Sequence, residues 1–341
     1  MDVETERSDG LAAFAIAMYW LVSKHVRWSS VRRGSALLVV LWVIALLSML
    51  IITSMMVAMQ DVETVTSRRM VFEARLLAEA GLAVGVHPSI KAGDPLLRKK
   101  VSTVESYEVN ITTEESRLNI NALLTEEKRP VLERVFQAWG LAPVDAESVV
   151  DCLMDWVDAD DMKRLKGAEK QDYARLGFKD RPYNRPFQSL DEVALVKGMD
   201  LVAEAQPRWR EAFTLWGAGQ LDINEAPAEL IALVAGIPVT QARTLVAARN
   251  GPDGIPHTKD DQPIQSLEEA MGLLGVPPQG APGQGGQPQG WSGLFTLHGN
   301  VQRVDSVGRV GTYARRISVI VQKNGVGGGQ SPILEWREAS E

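Results

Sequence analysis

The chain has 341 residues, a formal net charge of -7 and a pI of about 5.4, with one cysteine and four histidines. That length provides for about two or three compact units, and the acidic balance argues against binding driven by the phosphate backbone of a nucleic acid. A lone cysteine excludes an internal disulfide, so few sulfur and imidazole ligands exclude a conventional zinc finger, and apolar neighbours (Val149, Val150, Leu153) mark Cys152 as a small buried hydrophobe.

The first strong signal in chain order is the stretch from Ser35 to Gln60, 26 residues without a charge. As a helix it reaches about 39 Å, more than the roughly 30 Å of a bilayer's hydrocarbon core. A signal-peptide core is about 7–15 residues, so an ordinary cleaved signal fits poorly. Leu37, Leu38, Val39, Leu41, Trp42, Ile44 and Leu46 supply the membrane-anchoring surface. Lys24, Arg27, Arg32 and Arg33 precede it, whereas Asp61 and Glu63 follow. The excess of cations before the span predicts a cytoplasmic N-terminus, with everything after Gln60 across the membrane. The pattern then turns one-sided: Val65, Phe72, Leu76 and Ala80 recur among Arg68, Arg69, Glu73, Arg75 and Glu79. No proline interrupts Ser35 to Val86, so a helix of about 50 residues, roughly 75 Å long, is expected.

A basic stretch, a glycine, a small residue and a long apolar helix that becomes amphipathic ("RRGSALLVVLWVIALL") resemble the type IV pilins and the pseudopilins of type II secretion. The resemblance implies cleavage by a prepilin peptidase between Gly34 and Ser35, on the cytoplasmic side, with the apolar helix retained. Most members carry a glutamate as fifth mature residue; here that position is Val39. A carboxylate inside a membrane bundle is costly unless paired, and in the family its partner is the terminal amine of the subunit ahead. A subunit with nothing ahead of it gains by an apolar residue there. This narrows the resemblance to the K component, a minor pseudopilin placed at the filament tip. The leader is unusually long, and "LAAFAIAMYWLV" within it is too short to span a membrane. Two readings stand: translation from Met18, or an interfacial stretch lost with the leader.

Beyond the helix, "STVESYEVNITT" from Ser102 alternates as a strand. From Asn119 the pattern is helical, until the Pro/Gly/Gln-rich 276–291 segment, which cannot build a core. "LFTLHGNVQRVDSV" and "RVGTYARRISVIVQK" are strands again, turning at Gly308 or Gly311, and "SPILEWRE" is a last edge strand. The expected fold class is α+β: a long transmembrane and amphipathic helix packed on a small antiparallel sheet, with a large all-α domain inserted between its strands. The expected parts are a leader (1–34), a transmembrane helix (35–60), an amphipathic helix with the first strands (61–118), the helical domain (119–275), the loop (276–291) and the final strands (292–341). A weak repeat, "LNINAL" at Leu118 and "LDINEA" at Leu221, predicts two strand-turn-helix starts, their entry turns held by Asn121 and Asn224. Pro227 suits a first helical turn.

The chemistry concentrates in "DCLMDWVDADDMKRLKGAEKQDY". Asp151, Asp155, Asp158, Asp160 and Asp161 are five aspartates within eleven residues, which repel one another unless solvated, paired or metallated. Their hard oxygens suit Ca2+. An EF-hand register from Asp158 fails, because Met162 and Lys163 fall where a ligand and a glycine belong. The block resembles the "DWxDxD…GxE…Y" signature of the K component, and that resemblance implies structural calcium, with Asp155, Asp158, Asp160 and Glu169 as candidate ligands. Trp156 is expected in the core, and Ser189 with Glu192 forms a capping box. "INEAPAELIALVAGIPVTQARTLVAARNG" resembles a helix-hairpin-helix, but Pro238 stands in place of the second hairpin glycine and lacks an N–H. Arg243 and Arg249 are its sole cations. His87, His257 and His298 have turn-like or strand contexts and are expected at the surface. No arrangement of nucleophile and base, and no phosphate loop, suggests an enzyme. The reading is a tip subunit of the pseudopilus in the inner membrane, with a periplasmic domain. Its expected partners are other minor pseudopilins, the prepilin peptidase and the membrane, with exported cargo as a further candidate and nucleic acid excluded. The alternative is a membrane-anchored, helix-hairpin-helix receptor for DNA uptake.

Overall fold

The computed structural model describes residues 35–276, 291–323 and 332–340. Gly34, the cations before it and nearly all of the 276–291 segment lie outside the described residues. Contacts divide the chain between Arg68 and Arg69. The described part of the first portion is helix alone, the beginning of α1 (Ser35–Gly85). Leu, Val and Ala are its commonest residues and no proline breaks its ladder. Ala36–Met56 is long and apolar enough to cross a membrane, and none of it is buried.

The second portion opens with the last turns of α1. Its strands are β1 (Arg98–Lys100), β2 (Glu105–Thr113), β3 (Leu118–Asn119), β4 (Phe213–Thr214), β5 (Leu221–Asp222), β6 (Phe295–Thr296), β7 (Val301–Val310), β8 (Tyr313–Gln322) and β9 (Ile333–Ser340). Five of them form an antiparallel sheet in the order β1-β2-β7-β8-β9. β2 and β7 are neighbours, yet the whole helical block lies between them in sequence. The structure is thus an α+β fold with a helical insertion. β9, from "SPILEWRE", is an edge strand. Gly311, with φ +58°, makes the β7–β8 turn. Gly308 instead lies inside β7.

Helix α1 meets this sheet through small residues. Ala78 and Leu82 are buried against Tyr107, Val109 and Val304, and Ala74 is buried beside Gly308. A Cβ on Gly308 would stand 2.0 Å from the Ala74 carbonyl oxygen, and one on Gly81 would stand 2.5 Å from Ser306 Oγ. Ser306 Oγ donates to the Ala78 carbonyl at 2.7 Å, which satisfies a hydroxyl trapped at the seam. The stripe legible in the sequence is a different one. Val65, Phe72, Leu76 and Ala80 are exposed, because the small residues take the sheet side.

The helical block is a tandem repeat, and it extends well past the two strand-turn-helix starts. "LNIN", "PFQSLDE" and "FTLWG" in the first copy correspond to "LDIN", "PIQSLEE" and "FTLHG" in the second. Each copy holds a helical hairpin: α2 (Arg129–Ala138) with α3 (Pro143–Val157), then α4 (Ala228–Ala235) with α5 (Val239–Arg249). β3 pairs in parallel with β4, and β5 pairs in the same way with β6. Asn121 clamps Phe187 by its backbone N–H and C=O, each at 2.9 Å, and Asn224 clamps Ile264 likewise at 2.8 and 3.0 Å. These asparagines therefore hold a distant loop. The entry turns are held by the residues two before them: Asn119 accepts from the Ala122 N–H, and Asp222 accepts from that of Asn224. Ser189 and Ser266 accept the N–H groups of Glu192 and Glu269 at matching helix starts. Pro227 is the N-cap of α4.

Candidate metal centre and the helical hairpins

Helix α3 places Asp151 and Asp155 one turn apart on its inward face, where both are almost completely buried. A buried carboxylate needs a counter-charge and hydrogen bonds. Arg129 Nη1 supplies Asp151 with one at 2.7 Å. The loop after α3 folds back to supply the rest: Lys166 N–H donates to Asp151 at 3.0 Å, and Arg164 N–H to Asp155 at 3.2 Å. Gly167 permits this wrap, since a Cβ there would stand 1.8 Å from Asp155 Oδ2. The guanidinium of Arg164 pairs with Asp155 at 2.9 Å and also with Asp158.

Glu169 precedes the short helix Lys170–Arg175, and its N–H donates to Asp172 at 3.2 Å. The Glu169 side chain is 5% exposed, and neither carboxylate oxygen has a hydrogen-bond partner. Burial first, then the charges of Asp155, Asp158 and Asp161, push its carboxyl up to about 7. Burial likewise raises Asp155. Asp158 Oδ1 is buried without a partner as well. Among the four ligands expected from the sequence, Asp155, Asp158 and Glu169 act on one another at this point. Asp160 is exposed, and its Oδ1 accepts from the Met162 N–H at 2.7 Å. Three orphaned carboxylate oxygens, with those of Asp155 nearby, fit a hard divalent cation such as Ca2+. Arg164 and Arg129 are the residues that sequence reasoning missed. A cation within an acid run is visible in sequence, but the direction of its side chain is not.

Trp156 is core, as expected. It is fully buried, donates to Glu192 Oε1 at 3.1 Å, and packs against Tyr173, Tyr183 and Phe187. Cys152 is buried too, and burial raises its thiol to about 11, which makes it unreactive. In the second copy the loop after α5 brings Asp253, Asp260 and Asp261 within 4.8 Å of one another. These acids accept N–H groups of their own loop, from Ile255, Asp253 and His257. His257 departs from the surface expectation: it is half-buried, with Nε2 3.4 Å from Glu225.

The second hairpin engages its own cations. Arg249 is buried and donates to the Ile223 carbonyl at 2.6 Å, while Arg243 pairs with Glu229 at 3.3 Å. Pro238 caps α5 where a phosphate-gripping hairpin offers an N–H.

Residues 116–207 match the family model for type II secretion system (T2SS), protein K. That segment resembles protein K of the type II secretion system. The matched residues run from the start of the first repeat through the acidic loop and the Ser189 cap. A chain of the crystal structure of the GspK-GspI-GspJ complex from the enterotoxigenic Escherichia coli type 2 secretion system has the same fold. The TM-score is 0.57 at 13% identity, covering 83% of the present chain and 99% of the other. No curated protein sequence gives a significant match. The protein K domain and the α+β pseudopilin-like fold with its helical insertion thus agree with the apolar N-terminal helix, which suits a single-pass membrane anchor.

Proposed function

We propose that this protein K is the tip subunit of the type II secretion pseudopilus, initiating or capping filament assembly for protein export. The observation that carries this is a protein K domain joined to an apolar helix whose fifth residue after Gly34 is Val39. A subunit that adds onto another needs an acidic group there to meet the preceding amine; a leading subunit is better served by an apolar one. The prepilin peptidase cuts between Gly34 and Ser35, the helix anchors the chain in the inner membrane, and the remainder is periplasmic. Its partners are other minor pseudopilins, as the co-crystallised GspK, GspI and GspJ suggest by analogy. The chain acts by assembly and has no reaction of its own.

Calcium is part of this reading as a structural ion. Asp155, Asp158 and Glu169 would hold it, with Asp160 joining only if its loop turns inward. The ion supplies charge that Glu169 otherwise lacks, and so ties the loop to α3. The test of the assembly role is co-purification from detergent-solubilised membranes with the minor pseudopilins of the same system. A stable complex is expected, together with loss of export when the chain is deleted. Export at the normal level from a deletion strain contradicts the role.

A further inference from the structure

The place that the acidic centre offers to a divalent ion is partly filled by a side chain of the same loop. Arg164 Nη1 lies 2.9 Å from Asp155 Oδ1 and pairs with Asp158 Oδ2; its Nε is 3.5 Å from Glu126. Among the described residues, the other group donating to Asp155 is the N–H of Arg164 itself, so this single residue supplies both charge and hydrogen bonds to a fully buried carboxylate. Glu169, nine-tenths buried, has neither oxygen engaged. Two of the carboxylates, Asp155 and Asp158, therefore share one guanidinium. A cation that takes oxygens from Asp155 and Asp158 must share them with Arg164 or evict it, and like charges at contact distance repel strongly where water is excluded. Eviction is open to Arg164: its side chain is 26% exposed, so the guanidinium can swing into water without crossing the core. Glu126, itself 71% exposed, lies on that path.

We infer that Arg164 is a built-in counter-cation of the acidic centre, and that Ca2+ binding exchanges it for the metal. The inference rests on the calcium reading proposed above. Without the ion, Arg164 latches the 158–167 loop to α3. With it, Asp155, Asp158 and Glu169 close on the metal, and the guanidinium joins Leu165, which is 90% exposed, on the outer surface.

The test compares the full chain with its R164Q variant in detergent, in EGTA and in saturating CaCl2, by thermal unfolding and calcium titration. The expected result is a lower Tm for R164Q in EGTA, a difference that disappears in calcium, and Ca2+ binding about tenfold tighter than in the native chain. An equal Tm deficit in both buffers, with unchanged or weaker Ca2+ binding, overturns the exchange while leaving the calcium reading intact. No response to Ca2+ in either protein overturns the calcium reading and the exchange with it. A second measurement needs no variant. Phenylglyoxal, which modifies free guanidinium groups, should label Arg164 of the native chain faster in calcium than in EGTA, as read by peptide mass. Equal or slower labelling, under conditions where Ca2+ raises the Tm, contradicts the exchange.

Discussion

At the scale of single residues, the helical block depends on polar side chains that pair with backbone groups of distant loops. Asn121 is the clearest case, since its amide pairs with both backbone groups of Phe187. Truncation to alanine leaves a backbone donor and acceptor unpaired in the interior. N121A should lose about 1–3 kcal/mol of stability in urea unfolding, and N224A a similar amount in the second copy. Glu115 and Asp222 are two more buried carboxylates; burial raises both, and the charge of Asp222 raises Glu115 further. A carboxyl raised in the folded state binds its proton more tightly there than in the unfolded chain. Its contribution to stability is therefore fully present below the unfolded value, about 4, and is lost as pH rises through the folded one. Acidification from neutrality towards pH of about 5 should stabilise the chain through these groups. D222N, which cannot titrate, should show less of that gain in Tm than the native chain. An identical pH profile would exclude Asp222 as its source. The sequence announced "LNIN" and "LDIN" as matched starts but assigned the turns to the wrong partners. Asx side chains can close their own turn or reach a remote loop, and only the packed structure distinguishes the two.

At the scale of elements, α1 has two faces with separate roles. The sheet side is Ala74, Ala78, Gly81 and Leu82, and Gly308 of β7 lets the backbones touch. A methyl group at Gly308 would collide with backbone atoms of α1, which cannot move alone. G308A should cost about 1–3 kcal/mol by overpacking, read again by urea unfolding. The other side carries Phe72 and Leu76, which are 55% and 47% exposed. Replacing Leu76 by aspartate should leave the melting temperature nearly unchanged, as exposed substitutions do, while weakening co-purification with other minor pseudopilins. A large fall in melting temperature would place Leu76 in the fold and remove the argument for a docking face. The helix itself was legible from its charge-free stretch and lack of proline. Its sheet-facing side was not, because periodic large apolar residues dominate a sequence pattern, whereas Ala and Gly signal close packing only when their partner is known.

At the scale of the whole molecule, order in sequence and order in the sheet together account for the insertion. Strand-like segments on both sides of a helical run predicted one sheet, and the β2–β7 pairing closes it. The duplication was visible only as a pair of short matches. The parallel pairings of β3 with β4 and β5 with β6 explain why the further matches lie so far along the chain, since each closes its copy. The acidic centre was legible as composition, and Asp155, Asp158 and Glu169 of the four named carboxylates come together there. Its internal counter-ion was not, since loop residues have no fixed period from which to read direction. The two copies share their framework and differ in the loop after each hairpin, so the centre with Glu169 belongs to the matched protein K domain.

The central claim is that this chain enters a pseudopilus by the prepilin route, keeping its apolar helix. The most direct test is the N-terminal sequence and intact mass of the protein recovered from membranes, with and without the prepilin peptidase. The account predicts a mature chain that begins at Ser35 only when the peptidase is present. An uncut chain in both strains, or a cut beyond Gln60, contradicts it.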